Sequence, residues 1–417
     1  MYRISPPRRG LTVVPALGSG ARLSLQSLVQ EPRRAFGDVA VVLDVRPQFI
    51  KLASVIKVLG ERARVVQACQ HRDQGSAGQF LRKLGLGEPD VTLDGVHGAD
   101  RAQRIGRGII ALTEHLEAHP AQVIVVQGDT DSTRIGAQVG SRLGVPVIHV
   151  DAGLSSQASV KSTGLDRLRV APLVDLHCAA TPGAVANLLA EGVAPRRVRL
   201  TGNALADVTT SASALQYRRW SEIAGAGVRV GGYVLAPILR PETTNSPVFL
   251  QRILHALGTS PIPVLMMVRP RTLTAIGRLD PPTGAVRLRA AVCHSDYLEL
   301  ARRCALVVSD SSEVQEEAAV LGKPVLVISE ASEHPEFIAA GFARLATREV
   351  DLVGELAECL KRRAFPALEG ARSTDEFGRA ASLIADAARA LAAGEEPAGD
   401  LMTDRLLAGS GSLGGVR

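Results

Sequence analysis

No stretch of this chain approaches the roughly 18 apolar residues that span a bilayer, so a transmembrane helix is not expected. Aromatic residues are scarce, at 3% of 417 residues, and there are only 5 cysteines: Cys69, Cys178, Cys293, Cys304 and Cys359. No two of them have CxxC spacing. That pattern indicates neither a zinc site nor a disulfide framework, and buried free thiols in a reducing cytoplasm are the expected state. A secretory signal is not expected either, because Pro15 breaks the one apolar run of the arginine-bearing N-terminus, Leu11–Leu17. Lysine and arginine form no run long enough to argue for nucleic acid. The net charge of +6 is modest, and it equally suits an anionic small molecule such as a nucleotide.

The chain does have a repeated alternation of short β-branched runs and helical patterns. Its clearest instance is Gln122–Leu154. Val123–Val126 and Val145–Val150 have the composition of strands buried on both faces. Asp131–Leu143 carries small and apolar residues at helical spacing, and Gly144 follows where a left-handed C-cap belongs. This is one βαβ unit of a parallel sheet. Asp129 and Asp151 each follow a strand, and ligands of open α/β sheets bind beyond the carboxyl ends of the strands. Two acids are thereby aimed at one edge; the plainer alternative is that they are polar loop starts or N-caps.

The length exceeds one ordinary core, so two domains are expected. Residues 1–37 read as a basic extension without chemistry of their own. Residues 38–210 read as a first doubly wound domain of about six strands. Residues 211–375 read as a second α/β series, followed by a helix within 376–393 and a glycine-rich tail over 394–417. In the first domain the pattern predicts a strand at Val39–Leu43, a helix from about Pro47 to Leu59, and helices at Gln79–Leu86 and His97–His119. Arg46 stands at the start of the Pro47–Leu59 helix with Lys51 one turn on. Cations there oppose the helix dipole unless an anion lies between, which hints at a phosphate site as strongly as at two solvated bases. Further along, Asp310, Ser311 and Ser312 stand where a strand ends and a helix begins. Backbone N–H groups at such a start can hold a diphosphate, and Glu316 or Glu317 can take ribose hydroxyls; a well-capped helix is the alternative.

Taken together, these segments resemble the non-hydrolysing UDP-N-acetylglucosamine 2-epimerases over roughly Val39 to Leu391. Arg46-Pro47-Gln48-Phe49-Ile50-Lys51 resembles the opening RPExIK, and Gln70-His71-Arg72 the QHR segment. Gly128-Asp129-Thr130 with His149-Val150-Asp151-Ala152-Gly153-Leu154 is similar to GDT…HVEAGL. Asp175-Leu176-His177 and Thr201-Gly202-Asn203 match two further signatures. Arg240-Pro241-Glu242 is similar to HRPEN. Ser309-Asp310-Ser311 with Gln315-Glu316-Glu317-Ala318 resembles TDSGGxQEEA, and Glu333-His334-Pro335-Glu336 resembles ERPE.

The resemblance implies two Rossmann-like domains facing a cleft, the B-type glycosyltransferase architecture, in a cytoplasmic homodimer that handles precursors of cell-envelope polysaccharide. It implies a UDP-sugar substrate, whose C2 proton is removed as UDP is eliminated and then returned from the other face, a route needing no redox cofactor. Asp129, Asp151 and Arg167 take the catalytic positions. Arg46, Lys51, His71, Arg240, Arg269, Tyr297, Ser311, Ser312 and Glu317 take substrate-binding ones. Phosphates fall at Arg46 and the Ser311–Glu313 turn, ribose at Glu317 and the base near Tyr297. Several places depart from the pattern: Asp151 replaces a glutamate, Gln48 another, Leu239 the histidine of HRPEN, Gly164 one member of an acidic pair, Ser312 and Glu313 the paired glycines, and Arg269 a histidine. Leu239 moves no proton. Glu313 adds negative charge where phosphate belongs unless its side chain turns away. A family member that binds a nucleotide sugar or an enzyme partner without catalysis is the alternative.

Overall fold

The computed structural model describes residues 3–4, 37–68, 81–82, 84–96, 100–154, 170–211, 220–225, 227–280, 284–290, 292–362 and 379–396. Their strands form two sheets. The first contains β1 (Arg3–Ile4), β2 (Val39–Leu43), β3 (Ala63–Ala68), β4 (Val91–Leu93), β5 (Val123–Gln127), β6 (Val147–Ala152), β7 (Leu176–Ala179) and β8 (Val198–Leu200). Their order is β1-β4-β3-β2-β5-β6-β7-β8, and all pairs are parallel except β1 with β4. The second sheet contains β9 (Val234–Pro237), β10 (Val264–Val268), β11 (Val286–Ala290), β12 (Leu306–Ser309), β13 (Val325–Ile328) and β14 (Ala343–Ala346), all parallel, in the order β11-β10-β9-β12-β13-β14.

Both sheets are covered on both faces, which is why β2, β5, β9 and β10 are buried along their whole length. Alternate residues serve opposite cores, as a pleated strand requires. Val39, Val41 and Leu43 join Val123 and Val125 beneath one helical layer, while Ala40 and Val42 join Ile124 and Val126 beneath the other. The second sheet divides the same way, with Leu235 and Val307 on one side and Val234, Ala236 and Val308 on the other.

The βαβ unit forms as its sequence dictates. Helix Asp131–Leu143 is capped at its start by the Thr130 hydroxyl, which accepts from the Thr133 N–H, and at its end by Gly144 at φ 69°. The helix expected at His97–His119 runs Arg101–Ala118, starting where the Asp100 side chain accepts from the Ala102 N–H. Of the helix expected at Gln79–Leu86, residues 81 and 82 are helical and 84 and 85 form a turn, while 79, 80 and 83 lie outside the described residues. The first sheet has eight strands among the described residues, not about six. The additions are β4, three residues long, and β1, two residues from within the extension; both are too short to carry a period. β14 has no strand signal in the sequence either, since Ala-Arg-Leu-Ala lacks β-branched residues.

The last helix, Ala380–Ala392, packs on the first sheet. Ala380, Ala381, Ile384 and Ala388 share a core with Val39, Leu43 and Leu52, and the Ala381 N–H donates to Asp207 at 2.7 Å.

Each sheet reverses its strand order once in the middle, between β2 and β5 in the first and between β9 and β12 in the second. Ligands bind doubly wound sheets at such reversals, beyond the carboxyl ends of the strands. The residues delivered there are Asp44–Arg46 and Gly128–Asp129 from the first domain, and Leu239–Arg240 and Asp310–Ser312 from the second.

Candidate active site between the two domains

Helix Arg46–Leu59 starts immediately after β2, so its first turn lies at the reversal. Gln48 is buried there. Its Oε1 accepts from the Asp44 N–H at 2.9 Å, the Val45 N–H at 3.2 Å and the Ser132 hydroxyl at 3.0 Å. Its Nε2 donates to the Gln127 carbonyl at 2.8 Å and to Thr130 Oγ1 at 2.9 Å. An amide can both accept and donate; the glutamate of the resembled pattern, when ionised, would turn an oxygen towards the Gln127 carbonyl. Gln48→Glu is therefore expected to lower stability by about 1–3 kcal/mol, read as a lower urea midpoint at pH 7.

One turn further on, Lys51 is buried between two carboxylates. Its Nζ lies 2.8 Å from Asp151 Oδ2 and 3.0 Å from Glu316 Oε2. Gln127 Nε2 donates to the same Asp151 oxygen at 2.8 Å. Asp151 was expected just after its strand. It lies within β6 instead, where the register with β7 shifts, and it has φ 56°. A bulge re-aims a side chain, and aspartate is one of the few residues besides glycine that tolerates the left-handed region. The bulge turns the shorter carboxylate onto Lys51. Glu316 comes from helix Ser312–Val320 of the second domain, so Lys51 ties the domains together. Burial favours the neutral amine of Lys51, but Asp151 and Glu316 outweigh it and raise the pKa above its ordinary value. Burial alone would raise Glu316; Lys51 and His334 prevail and hold it well below the usual carboxylate range.

These groups open on a cavity of about 490 Å³ between the domains, lined also by Asp129, Arg240, Ser312 and Glu313. A lobe of about 120 Å³ adjoins it through Pro47, Lys51 and Glu313 and is lined by Arg46, Arg269, Tyr297, Ser311 and Glu317. The structure thus gathers Asp129, Asp151, Lys51, Arg240 and Ser312 around the larger space, and Arg46, Arg269, Tyr297, Ser311 and Glu317 around the smaller one. His71 and Arg167 lie outside the described residues.

One side of the smaller lobe is cationic. Burial lowers the pKa of Arg46, and the neighbouring Arg269 lowers it further, a repulsion that an anion between them would relieve. On the other side Glu317 lies 2.6 Å from His294 Nε2, and the His294 ring stacks on Tyr297 at 6.2 Å. Burial, then Glu317, pushes the Tyr297 phenol well above its ordinary value. Arg240 Nη2 donates to Ser312 Oγ at 2.8 Å and lies 3.2 Å from Glu333. The N–H groups of Leu239 and Arg240 both donate to Asp310, which burial raises. Leu239 packs against the second domain's core while lining the smaller lobe. Glu313 does not turn away: it accepts from the Ser311 hydroxyl at 2.5 Å and faces both spaces.

Sequence reasoning missed His294 and His334. His294 opens helix His294–Arg303, and nothing in its spacing marks it. His334 had a signal, since it stands at the arginine of ERPE; it is buried with Nε2 3.2 Å from Glu316 Oε1. Among the described residues no group of His, Cys, Asp and Glu has the arrangement of a metal site, and no helix is long and apolar enough to cross a membrane.

A sequence profile described as UDP-N-acetylglucosamine 2-epimerase matches residues 59–389. UDP-2,3-diacetamido-2,3-dideoxy-D-glucuronate 2-epimerase of Pseudomonas aeruginosa is 30% identical over 326 residues, covering 76% of this chain and 91% of that protein. UDP-N-acetylglucosamine 2-epimerase of Methanococcus maripaludis is 25% identical, covering 72% of this chain and 84% of that one. In fold, the chain matches the crystal structure of Methanocaldococcus jannaschii UDP-GlcNAc 2-epimerase in complex with UDP-GlcNAc and UDP, with TM-score 0.71, 23% identity, and 83% and 98% coverage of the two chains. Two doubly wound domains, a cleft at both strand reversals and a profile match over most of the length have one explanation: this chain is a divergent member of the UDP-N-acetylglucosamine 2-epimerase family.

Proposed function

We propose that this protein interconverts the C2 epimers of a UDP-amino sugar. The observation that carries the reading is the array of Asp129, Asp151, Lys51 and Glu316 on one cavity, next to a lobe lined by Arg46 and Arg269. In this scheme Arg46 and Arg269 hold the diphosphate, and the N–H groups that open helix Ser312–Val320 join them once the Glu313 carboxylate swings off the helix start. Tyr297 takes the base, and Glu317 exchanges His294 for the ribose hydroxyls. Arg240 and Ser312 stand where the two spaces meet. His71 and Arg167 belong to the same scheme by resemblance.

The reaction needs a base on one face of C2 and an acid on the other. The C2–H bond breaks as its electron pair forms the C1=C2 double bond, and the C1–O bond electrons leave with UDP. Return of a proton to the opposite face and of UDP to C1 completes the inversion. Asp129 and the Lys51–Asp151 pair are the candidates for the two faces, and the guanidiniums stabilise the departing diphosphate. A cytoplasmic homodimer acting on cell-envelope precursors is part of the same proposal.

Incubation with UDP-N-acetylglucosamine in heavy water tests the reading, with UDP titration by calorimetry alongside. Deuterium entering C2 together with UDP binding is the expected result; binding without any C2 exchange overturns it. Leu239, apolar at a histidine position and packed on the core, favours that second outcome, a protein that holds the nucleotide sugar without turning it over.

A further inference from the structure

Among the described residues, His334 is a member of the buried charge network that the epimerase scheme leaves idle. Its Nε2 lies 3.2 Å from Glu316 Oε1, and its Nδ1 lies 3.3 Å from Glu336 Oε1. Phe337 stacks on the ring at 4.8 Å and 14°. The His334 N–H donates to Ser332 Oγ at 3.0 Å, and that hydroxyl donates to Gln315 Oε1 at 2.8 Å, so backbone and ring are both held. From Glu316 the contacts continue to Lys51 at 3.0 Å and from Lys51 to Asp151 at 2.8 Å. A line of alternating charge therefore runs from Glu336, whose side chain is 43% exposed, to the carboxylate at the cavity.

We infer that His334 is a positioning residue for the proposed reaction: as an imidazolium it holds Glu316 in place, Glu316 holds Lys51, and Lys51 presents Asp151 to the sugar. The inference rests on the epimerase reading. Two ionisable groups act on the ring directly, Glu316 from helix Ser312–Val320 and Glu336 from its own helix, Pro335–Ala339; Lys51 stands behind Glu316. Burial opposes the charge on His334, but the two glutamates prevail and move its pKa up from 6.5 to about 9. An arginine, as in the ERPE pattern, would hold Glu316 at every pH. Histidine does so only while protonated, so the geometry at Asp151 acquires an alkaline limit in this chain.

The test is the rate of deuterium entry at C2 from pH 6 to 10 in the wild type, His334→Gln and His334→Arg, with UDP affinity measured for each. The wild type is expected to lose rate above about pH 9. His334→Arg is expected to fold, work and lack that decline. His334→Gln is expected to lower kcat about ten-fold, the equivalent of one pKa unit of lost differential interaction, without a matching change in KM or UDP affinity. Survival of the alkaline decline in His334→Arg overturns the inference, as does a kcat for His334→Gln equal to wild type. Should His334→Gln not fold, the arginine variant's pH profile decides alone. Absence of exchange in the wild type at every pH is a different result: it removes the epimerase reading, and the inference with it.

Discussion

Lys51→Met is expected to destabilise the protein by about 3–5 kcal/mol at pH 7, the cost of leaving buried charges without their partner. The methionine keeps most of the volume but leaves Asp151 and Glu316 facing each other across the former ammonium position. Both carboxylates are buried, and of the Lys51 and Gln127 contacts to Asp151 the Gln127 amide remains. The pH dependence has a sign of its own. In the wild type, the low pKa of Glu316 makes its contribution complete above about 4.5, and it fades as pH falls through the folded value. The raised pKa of His334 makes its contribution complete below about 6.5, and it fades as pH rises through about 9. The network is thus at full strength from about 4.5 to 6.5. In Lys51→Met the two carboxylates repel and prefer protons in the folded state, so the variant should recover part of its deficit as the pH is lowered towards 5. Urea unfolding followed by circular dichroism at pH 7 and pH 5 checks both statements. Equal midpoints for the two proteins at pH 7 would mean that Lys51 is not the tie described.

Asp129→Asn is expected to slow C2 deuterium entry by about 10²- to 10⁴-fold, the range for removal of a general acid or base, while UDP binds as before. The substitution preserves shape and removes only the ability to carry the proton. Asp129 follows Gly128, which has φ 72°, at the carboxyl end of β5, where the first sheet reverses its order. It is half-buried and lines the larger cavity but not the lobe around Arg46 and Tyr297. Chemistry and nucleotide affinity should therefore separate in this variant. A parallel loss of UDP affinity would assign Asp129 to binding, and an unchanged exchange rate would leave the proton to another group.

Much of the scaffold was legible because its strands are buried on both faces and written as unbroken β-branched runs. β2 and helix Asp131–Leu143 lie where the pattern puts them, and β5 begins at the expected Val123. The short edge pieces β1 and β4 carry no period to read, and the Ala-rich β14 has no propensity to announce it. The acids at the strand ends were legible from topology alone, since two consecutive parallel strands must deliver them to one edge. Their partners were not. Lys51 and Glu316 stand 265 residues apart, and only folding of both domains brings them within an ion pair. The bulge at Asp151 was equally hidden, because a single residue entering the left-handed region leaves no trace in hydrophobic spacing. His334 had a motif around it, but a histidine in place of an arginine acquires meaning only once the two flanking glutamates are known.

The docking of helix Ala380–Ala392 onto the first sheet bears on the order of synthesis. A nascent chain that has emerged as far as β8 still lacks a wall of its own first core, because Ile384 and the alanines around it have yet to be translated. The second domain can close around its own sheet while the first waits with Val39, Leu43 and Leu52 uncovered on that side. Ribosome-bound fragments ending before residue 380 should accordingly recruit chaperones through the first half of the sequence, and a cut near residue 211 should yield a soluble C-terminal piece more readily than a soluble N-terminal one.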